Sequence, residues 1–312
     1  CHTSLLFVES DAKELLMDWG VNIKVVFAVL SFAALSLLTV SEFRRRNGNR
    51  KSKCCNSSCY LQSQKGKTQK PQLTFKRVLA DNSYSQFKHL KKFDQSSNEI
   101  SHPYASEINA LLGTSPLTED ELDFGANFDR ISDECENYVW VDSGSKLEEL
   151  ANVLNEETAF AVDTEQHSLR SFLGFTALVQ ISTTKKDYLI DTIAVHDEMN
   201  LLAPVFANPK ICKVFHGADN DCLWLQRDFH IYVVNLFDTS KACEVLSKPQ
   251  KSLAYLLESY CGVFTDKSFQ RVDWSQRPLS RDMIHYARSD AHFLLYIASR
   301  LVAELKQLSS GY

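Results

Sequence analysis

The chain has 312 residues, 44% of them hydrophobic, enough to bury the core of one large domain or two medium ones and too many for a wholly disordered protein. Its 39 acidic residues against 34 basic ones give a formal charge of −5, which excludes nucleic-acid binding by bulk positive charge and leaves it to local patches or bound metal. Nine cysteines, an odd number without the spacing of a disulfide scaffold, place the folded part in a reducing compartment.

The first residue is Cys1 rather than Met, so the chain reads as a piece of a longer product. Residues 25–40 carry no charge, and extension back to Val21 brings the run to about the 20 residues that a membrane-spanning helix needs. A cleaved signal would carry its positive charge first, and a buried core helix would have amphipathic neighbours. Here Glu9, Asp11, Glu14 and Asp18 precede the run and Arg44, Arg45, Arg46, Arg50, Lys51 and Lys53 follow it, the order that leaves everything after it in the cytosol. The expectation is a short tail over residues 1–20, a single transmembrane helix over 21–40 and a basic flexible linker over 41–101. Cys54, Cys55 and Cys59 lie close behind the apolar run and are candidates for lipidation. A zinc site is the weaker reading, because no paired Cys or His follows at finger-like spacing. Residues 102–137 read as a segment wrapped over a domain spanning 138–308.

In that domain Tyr138 to Val141 alternates as a strand, and Leu147, Leu150, Val153 and Leu154 fall at helical spacing. The apolar run Phe160-Ala161-Val162 then ends in Asp163-Thr164-Glu165, whose two carboxylates project from one side of a strand end. Like charges that close repel unless a hard divalent cation sits between them, and an oxygen-only donor set favours magnesium or manganese over zinc. Taken alone, Asp-x-Glu is so common that it is better read as a strand stopping at a polar turn.

Ala177 to Ile181 and Tyr188 to Ile190 read as two further strands joined by hairpins, hence antiparallel. A helical stretch from Glu198 to Phe206, a strand from Cys212 to Phe215 and a helix from about Ala218 to Phe229 follow, an order that requires parallel pairing. The fold class is therefore α/β, a ribonuclease H-like mixed sheet with antiparallel strands first and parallel ones after, flanked by helices. Asp219 is a plausible cap of the last of these helices, and Asp221 falls in its first turn, facing the strand ends. Trp224 and Leu225 continue its apolar face. Tyr286 and Asp290 share one face of a long helical stretch from about Ser280 to Leu308, and the apolar neighbours Met283, Ile284, Ala287, Phe293, Leu294 and Ile297 pack inward. A carboxylate at that buried edge needs a partner, which a metal supplies.

Asp163-Thr164-Glu165, the run His216 to Asp221 with Trp224-Leu225-Gln226, and Tyr286 with Asp290 resemble the three motifs of the DEDD exonuclease superfamily, tyrosine subgroup. His167 to Gly174, Gln180-Ile181-Ser182-Thr183, and Asp273-Trp274 with Arg277-Pro278-Leu279 are similar to the ribonuclease D-related enzymes called ribosomal RNA-processing protein six. The resemblance runs from about His102 to Leu308, and the apolar N-terminal run resembles a membrane-bearing branch found in plants. Two departures stand out. Gln166 occupies a place where relatives usually carry histidine, and the helicase-and-ribonuclease-D C-terminal domain of the family does not follow here.

The resemblance implies a metal-dependent 3′-5′ exoribonuclease that takes RNA with a free 3′ end and releases nucleoside 5′-monophosphates. It implies two Mg2+ (or Mn2+) ions, with Asp163 bridging both, Glu165 and Asp290 completing the first site, Asp221 holding the second and Tyr286 orienting the attacking water. His167, His216 and Trp224 are candidates for substrate contacts, and exosome components are implied as partners. The expected location is a membrane, with catalysis facing the cytosol, or the nucleus if residues 21–40 do not span. Two other functions stay open: a DNA 3′-5′ exonuclease of the same superfamily, and a catalytically silent RNA-binding membrane scaffold.

Overall fold

The computed structural model describes residues 70–80, 87–90, 102–113, 138–168 and 173–310. The transmembrane helix expected over 21–40 and the lipidation candidates Cys54, Cys55 and Cys59 lie outside the described residues. Among the described residues no helix is long and apolar enough to cross a membrane.

After a helix α1 (Ala105–Gly113), the domain opens with β1 (Tyr138–Val141) and α2 (Gly144–Asn155), the latter capped by the Ser143 hydroxyl, which accepts from the Lys146 N–H. Three strands joined by hairpins follow, β2 (Ala159–His167), β3 (Phe175–Ser182) and β4 (Asp187–Ile190). The stretch expected as one helix from Glu198 to Phe206 is a 3-10 turn, Met199–Leu202, running into a single-turn α3 (Ala203–Phe206). Then come β5 (Cys212–Phe215), α4 (Asp219–Phe229), β6 (Leu236–Asp238), α5 (Thr239–Val245), α6 (Leu253–Leu256), α7 (Arg281–His292) and α8 (Leu294–Ser310).

The six strands form one sheet in the order β1-β4-β3-β2-β5-β6. β2, β3 and β4 pair antiparallel, and β5 and β6 add on parallel, as expected for hairpins followed by crossovers. What the pattern did not place is β1, which pairs parallel with β4 at the far edge. β2 is thus central, flanked by β3 and β5, and buried along nearly its whole length.

Alternation along β2 divides its side chains between two layers. Phe160 and Val162 join Leu147, Leu150 and Leu154 of α2 and Cys222 and Leu225 of α4 in one core. Ala159 and Ala161 face the other way, into a core with Leu294, Ile297, Ala298 and Leu301 of α8. α7 covers the same side over β3 and β4, with Met283, Tyr286 and Ala287 against Phe175, Leu178, Leu189 and Trp274. The helix expected to run unbroken from Ser280 to Leu308 is therefore two. At Phe293 the backbone turns and its N–H reaches the Ala291 carbonyl, because the halves on either side pack on different parts of the sheet.

Part of the stretch expected as a flexible linker lies against the domain. The Phe75 ring stacks on His196 at 3.7 Å, the Asp197 carboxylate accepts from the N–H groups of Lys76 and Arg77, and the Tyr232 hydroxyl accepts from the Leu90 N–H. Tyr104 and Ile108, in the segment expected to wrap the domain, pack with Ala207 and Val234.

The position of α7 depends on one buried ion pair. Arg288 donates to Asp187 of β4 at 2.9 Å, its guanidinium lies over the Tyr138 ring of β1, and His292 and Ser182 also bond Asp187. Burial alone would raise the Asp187 carboxyl, but the His292 contact, the Ser182 hydroxyl and the Arg288 charge hold it below its ordinary value. Asp187→Asn removes the buried carboxylate charge that Arg288 and His292 both contact, an expected loss of about 3–5 kcal/mol read from the urea midpoint; a loss under about 1 kcal/mol would show the pair to be dispensable.

Candidate active site

The site lies on the second half of β2, where both helical layers arrive; the strand expected to end at Asp163-Thr164-Glu165 runs on to His167, because β3 continues to pair with it there. Asp163 and Glu165 share the parity of Ala159 and Ala161 and so face the α7 side, where Asp290 projects from the third turn of the helix. One ligand oxygen from each of Asp163, Glu165 and Asp290 lies within 4.8 Å of the other two. A shift of register between Glu165 and Gln166 marks a bulge, a device that re-aims a strand's last side chains.

Asp221 reaches the same point from the opposite layer. Thr164, pointing to the α4 side between the two acids, donates its hydroxyl to Asp221 Oδ1 at 2.5 Å. Asp221 lies outside the close trio but near enough for its charge to act on Asp163 and Glu165. The sequence brought these four carboxylates into one list; the structure divides them into three on one side of the strand and one on the other.

Their electrostatics follow from crowding. Burial, then the charges of Asp290 and Asp221, push Asp163 well above the ordinary carboxylate range, and Glu165 rises for the same reasons, with Asp163 the largest neighbouring charge. Burial raises Asp221 and Asp290 to about 7 each, against the opposing hydrogen bonds from Thr164 and Tyr286 respectively. The Tyr286 phenol, buried and beside Asp290 and Glu165, is driven far above its normal value and stays protonated, donating to Asp290. Its ring is held by Phe269, stacked at 5.5 Å, and by Trp274 at 6.1 Å. An all-oxygen, crowded carboxylate trio fits a hard divalent cation, which would relieve the repulsion that raises these groups.

The start of α4 is set differently from expectation. Asp219 makes no side-chain cap; it is the first residue of the helix, after an Ala218 N-cap. Asp238, at the end of β6, does the work from outside, accepting from the N–H groups of Gly217 and Ala218 at 2.9 Å each while also capping α5 through Ser240. Gly217 has φ +70°, which favours glycine at this strand-to-helix turn. The sequence Asp238-Thr239-Ser240 signals the α5 cap, but nothing local signals its hold on α4.

The three candidates for substrate contact are placed as follows. His167 is buried, with Nδ1 3.0 Å from Asp273 Oδ1. His216 contacts the Thr239 hydroxyl at 2.9 Å, and burial lowers its pKa. Trp224 is half-buried on α4, one turn beyond Asp221, with no hydrogen-bond partner for its Nε1 among the described residues. Gln166, at the place of the usual histidine, donates to the Leu173 carbonyl at 3.1 Å, which also accepts from Arg227 at 2.8 Å, closing the β2–β3 hairpin. Gly174 completes that hairpin with φ +65°; a Cβ there would meet the His167 carbonyl at 2.7 Å.

The sequence matches the model of a 3′-5′ exonuclease family over residues 138–306. It is 60% identical over 300 residues to Protein RRP6-like 3 of Arabidopsis thaliana, covering 94% of this chain and 33% of that protein. With Exosome complex exonuclease RRP6 of Saccharomyces cerevisiae it shares 39% identity over 256 residues, 75% of this chain and 34% of the relative. The chain thus spans about a third of the length of these relatives. Among solved structures, the catalytic core of RRP6 from Trypanosoma brucei superposes with a TM-score of 0.67 at 38% identity, covering 78% of this chain and 69% of that one. RNase D of Escherichia coli gives 0.51 at 28% identity, over 55% and 46% of the two chains.

Carboxylates whose folded pKa is raised bind protons more tightly in the native chain than in the unfolded one, so their contribution is present below about pH 4 and is lost as pH rises through about 7. In chelator the melting temperature contributed by this site is expected to fall over that window. Asp163→Asn removes one of the repelling charges and is expected to melt higher than the wild type at pH 7.5 in chelator, whereas added Mg2+ raises the wild type more than the variant. A variant melting lower in chelator and gaining as much from Mg2+ would sink the crowding account.

Proposed function

Because the chain belongs to the RRP6-like 3′-5′ exonuclease family, we propose that its domain hydrolyses RNA from a free 3′ end and releases nucleoside 5′-monophosphates in RNA processing or degradation. The observation that carries this reading is the meeting of Asp163, Glu165, Asp290 and Asp221 about the second half of β2, with Tyr286 bonded to Asp290. RNA is preferred to DNA because two solved relatives above 25% identity are an RRP6 core and an RNase D, the latter described as an exoribonuclease.

Asp163, Glu165 and Asp290 would hold one divalent ion and Asp163 with Asp221 a second, Mg2+ or Mn2+. When bound, such a pair supplies an activated water and neutralises charge on the reacting phosphate. The chain's own residues do the positioning. Asp163, central on β2, serves both halves of the site, and Thr164 holds Asp221 facing it. Tyr286, protonated at neutral pH, orients the attacking water through its hydroxyl rather than taking a proton from it. His167, His216 and Trp224 remain proposed substrate contacts.

Association with exosome components is supported by the naming of the yeast relative as an exosome complex exonuclease. Anchoring through residues 21–40, with the domain at 138–308 facing the cytosol, is supported by the uncharged run and by the basic residues that follow it; a nuclear location is the alternative if that run does not span.

With RNA and DNA of one sequence, the chain is expected to release mononucleotides from RNA in Mg2+ and none in chelator. Asp163→Asn and Asp221→Asn are expected to abolish release with the fold intact, since an amide keeps the shape without the charge. Tyr286→Phe should lower turnover on the order of 10- to 1000-fold with substrate binding barely changed. Unchanged turnover in Asp163→Asn would overturn the reading, and equal digestion of DNA would move it to the DNA alternative. For the anchor, membranes from expressing cells are expected to retain the chain through carbonate extraction, with the domain cut by protease outside intact vesicles; carbonate-soluble chain would refute it.

A further inference from the structure

Gln180 lies on β3 directly opposite Asp163 of β2 and, on its other side, opposite Leu189 of β4. Residues paired in this way point to the same face of the sheet, with Cβ atoms roughly 5 Å apart. That face is the one α7 covers: Leu178, two residues before Gln180, and Leu189 both pack with Tyr286 and Ala287. Gln180 is 1% exposed. Neither its Nε2 nor its Oε1 has a hydrogen-bond partner among the described residues.

A buried primary amide with nothing to bond costs free energy that an apolar side chain of the same shape would not. The other polar side chains of β3 are matched, Thr176 to Asp228 and Ser182 to Asp187. Gln180 is the exception, and it stands beside the carboxylate that both halves of the site share. Carboxylates that ligate metals are themselves oriented by hydrogen bonds from residues behind them, and those outer partners matter nearly as much as the ligands. Thr164 does this for Asp221 on the other side of the strand.

We propose that Gln180 is the positioning residue of Asp163: its amide N–H donates to an Asp163 carboxylate oxygen when that carboxylate holds a divalent ion, fixing how the oxygens are presented. This role rests on the metal-binding reading of the site. It also accounts for an amide, rather than an acid or an apolar group, at this place. A glutamate would add a fifth charge to the crowd, and a leucine would supply no donor.

The test is calorimetric titration of the metal-free chain with Mn2+, paired with melting in chelator, for wild type, Gln180→Met, Gln180→Leu and Asp163→Asn. Gln180→Met, close to isosteric, is expected to melt at or above the wild type in chelator while binding Mn2+ about 10- to 100-fold more weakly. Gln180→Leu likewise supplies no donor and is expected to weaken binding at least as much; it carries the test should Gln180→Met not fold. Wild-type Mn2+ affinity in either folded variant would overturn the role, as would a lowered melting temperature with unchanged affinity, the signature of a packing residue. Equal Mn2+ binding by wild type and Asp163→Asn would sink the metal site itself, a different failure with a different readout.

Discussion

Four carboxylates gathered about the second half of β2 repel one another, and much of the surrounding structure is arranged to hold them there. Burial worsens the repulsion by removing water, which is why all four are displaced towards the protonated form. Such an arrangement persists only where the supporting backbone is rigid enough to resist opening. β2 supplies that rigidity: it is central in the sheet, hydrogen-bonded on both edges, and its apolar residues feed the cores on both faces.

The remaining members of the site are fastened to β2 by contacts that are not themselves chemical. α7 delivers Tyr286 and Asp290, and two residues before Asp290 it is pinned by Arg288 to Asp187 and Tyr138, on the strands at the far edge of the sheet. α4 delivers Asp221, and its entry is fixed by Asp238 from the neighbouring strand. One carboxylate thus sets the positions of two helix starts, α4 and α5. The geometry of the site therefore depends on both edges of the sheet as well as on the strand that carries the Asp-x-Glu pair.

The N-terminal contacts extend the same logic outward. Phe75, Lys76 and Arg77 meet the 196–197 turn, and Leu90, His102 and Tyr104 gather about Tyr232, just past the C-terminal end of α4. Segments that composition alone marks as basic and polar are thereby tied to the helix whose other end carries Asp221. Basic composition describes solvation, and it does not report whether a few aromatic side chains along the segment find a docking surface.

Periodicity was enough to find β1, the three hairpin strands, β5 and the outline of α2, α4 and α7, because each carries its apolar residues at the spacing of its own backbone. It also placed Asp163 and Glu165 on one side of a strand and Tyr286 and Asp290 on one face of a helix, since both are consequences of local geometry. β6 and α5 escaped, β6 because Leu236–Asp238 is too short to alternate, α5 because Ala242, Cys243 and Val245 are its only apolar residues and trace no helical stripe. So did the break at Phe293, which depends on two halves of a helical stretch meeting different parts of the sheet. Asp238 and Arg288 were silent for a related reason: each acts on a partner 20 or more residues away, so no spacing records it. The sequence by itself determined which acids share one side of a strand or one face of a helix; only the tertiary structure decided that β2 runs on past them to His167, and that three acids gather on one face of it and the fourth on the other, because that follows from which strands pair and which layer each helix joins.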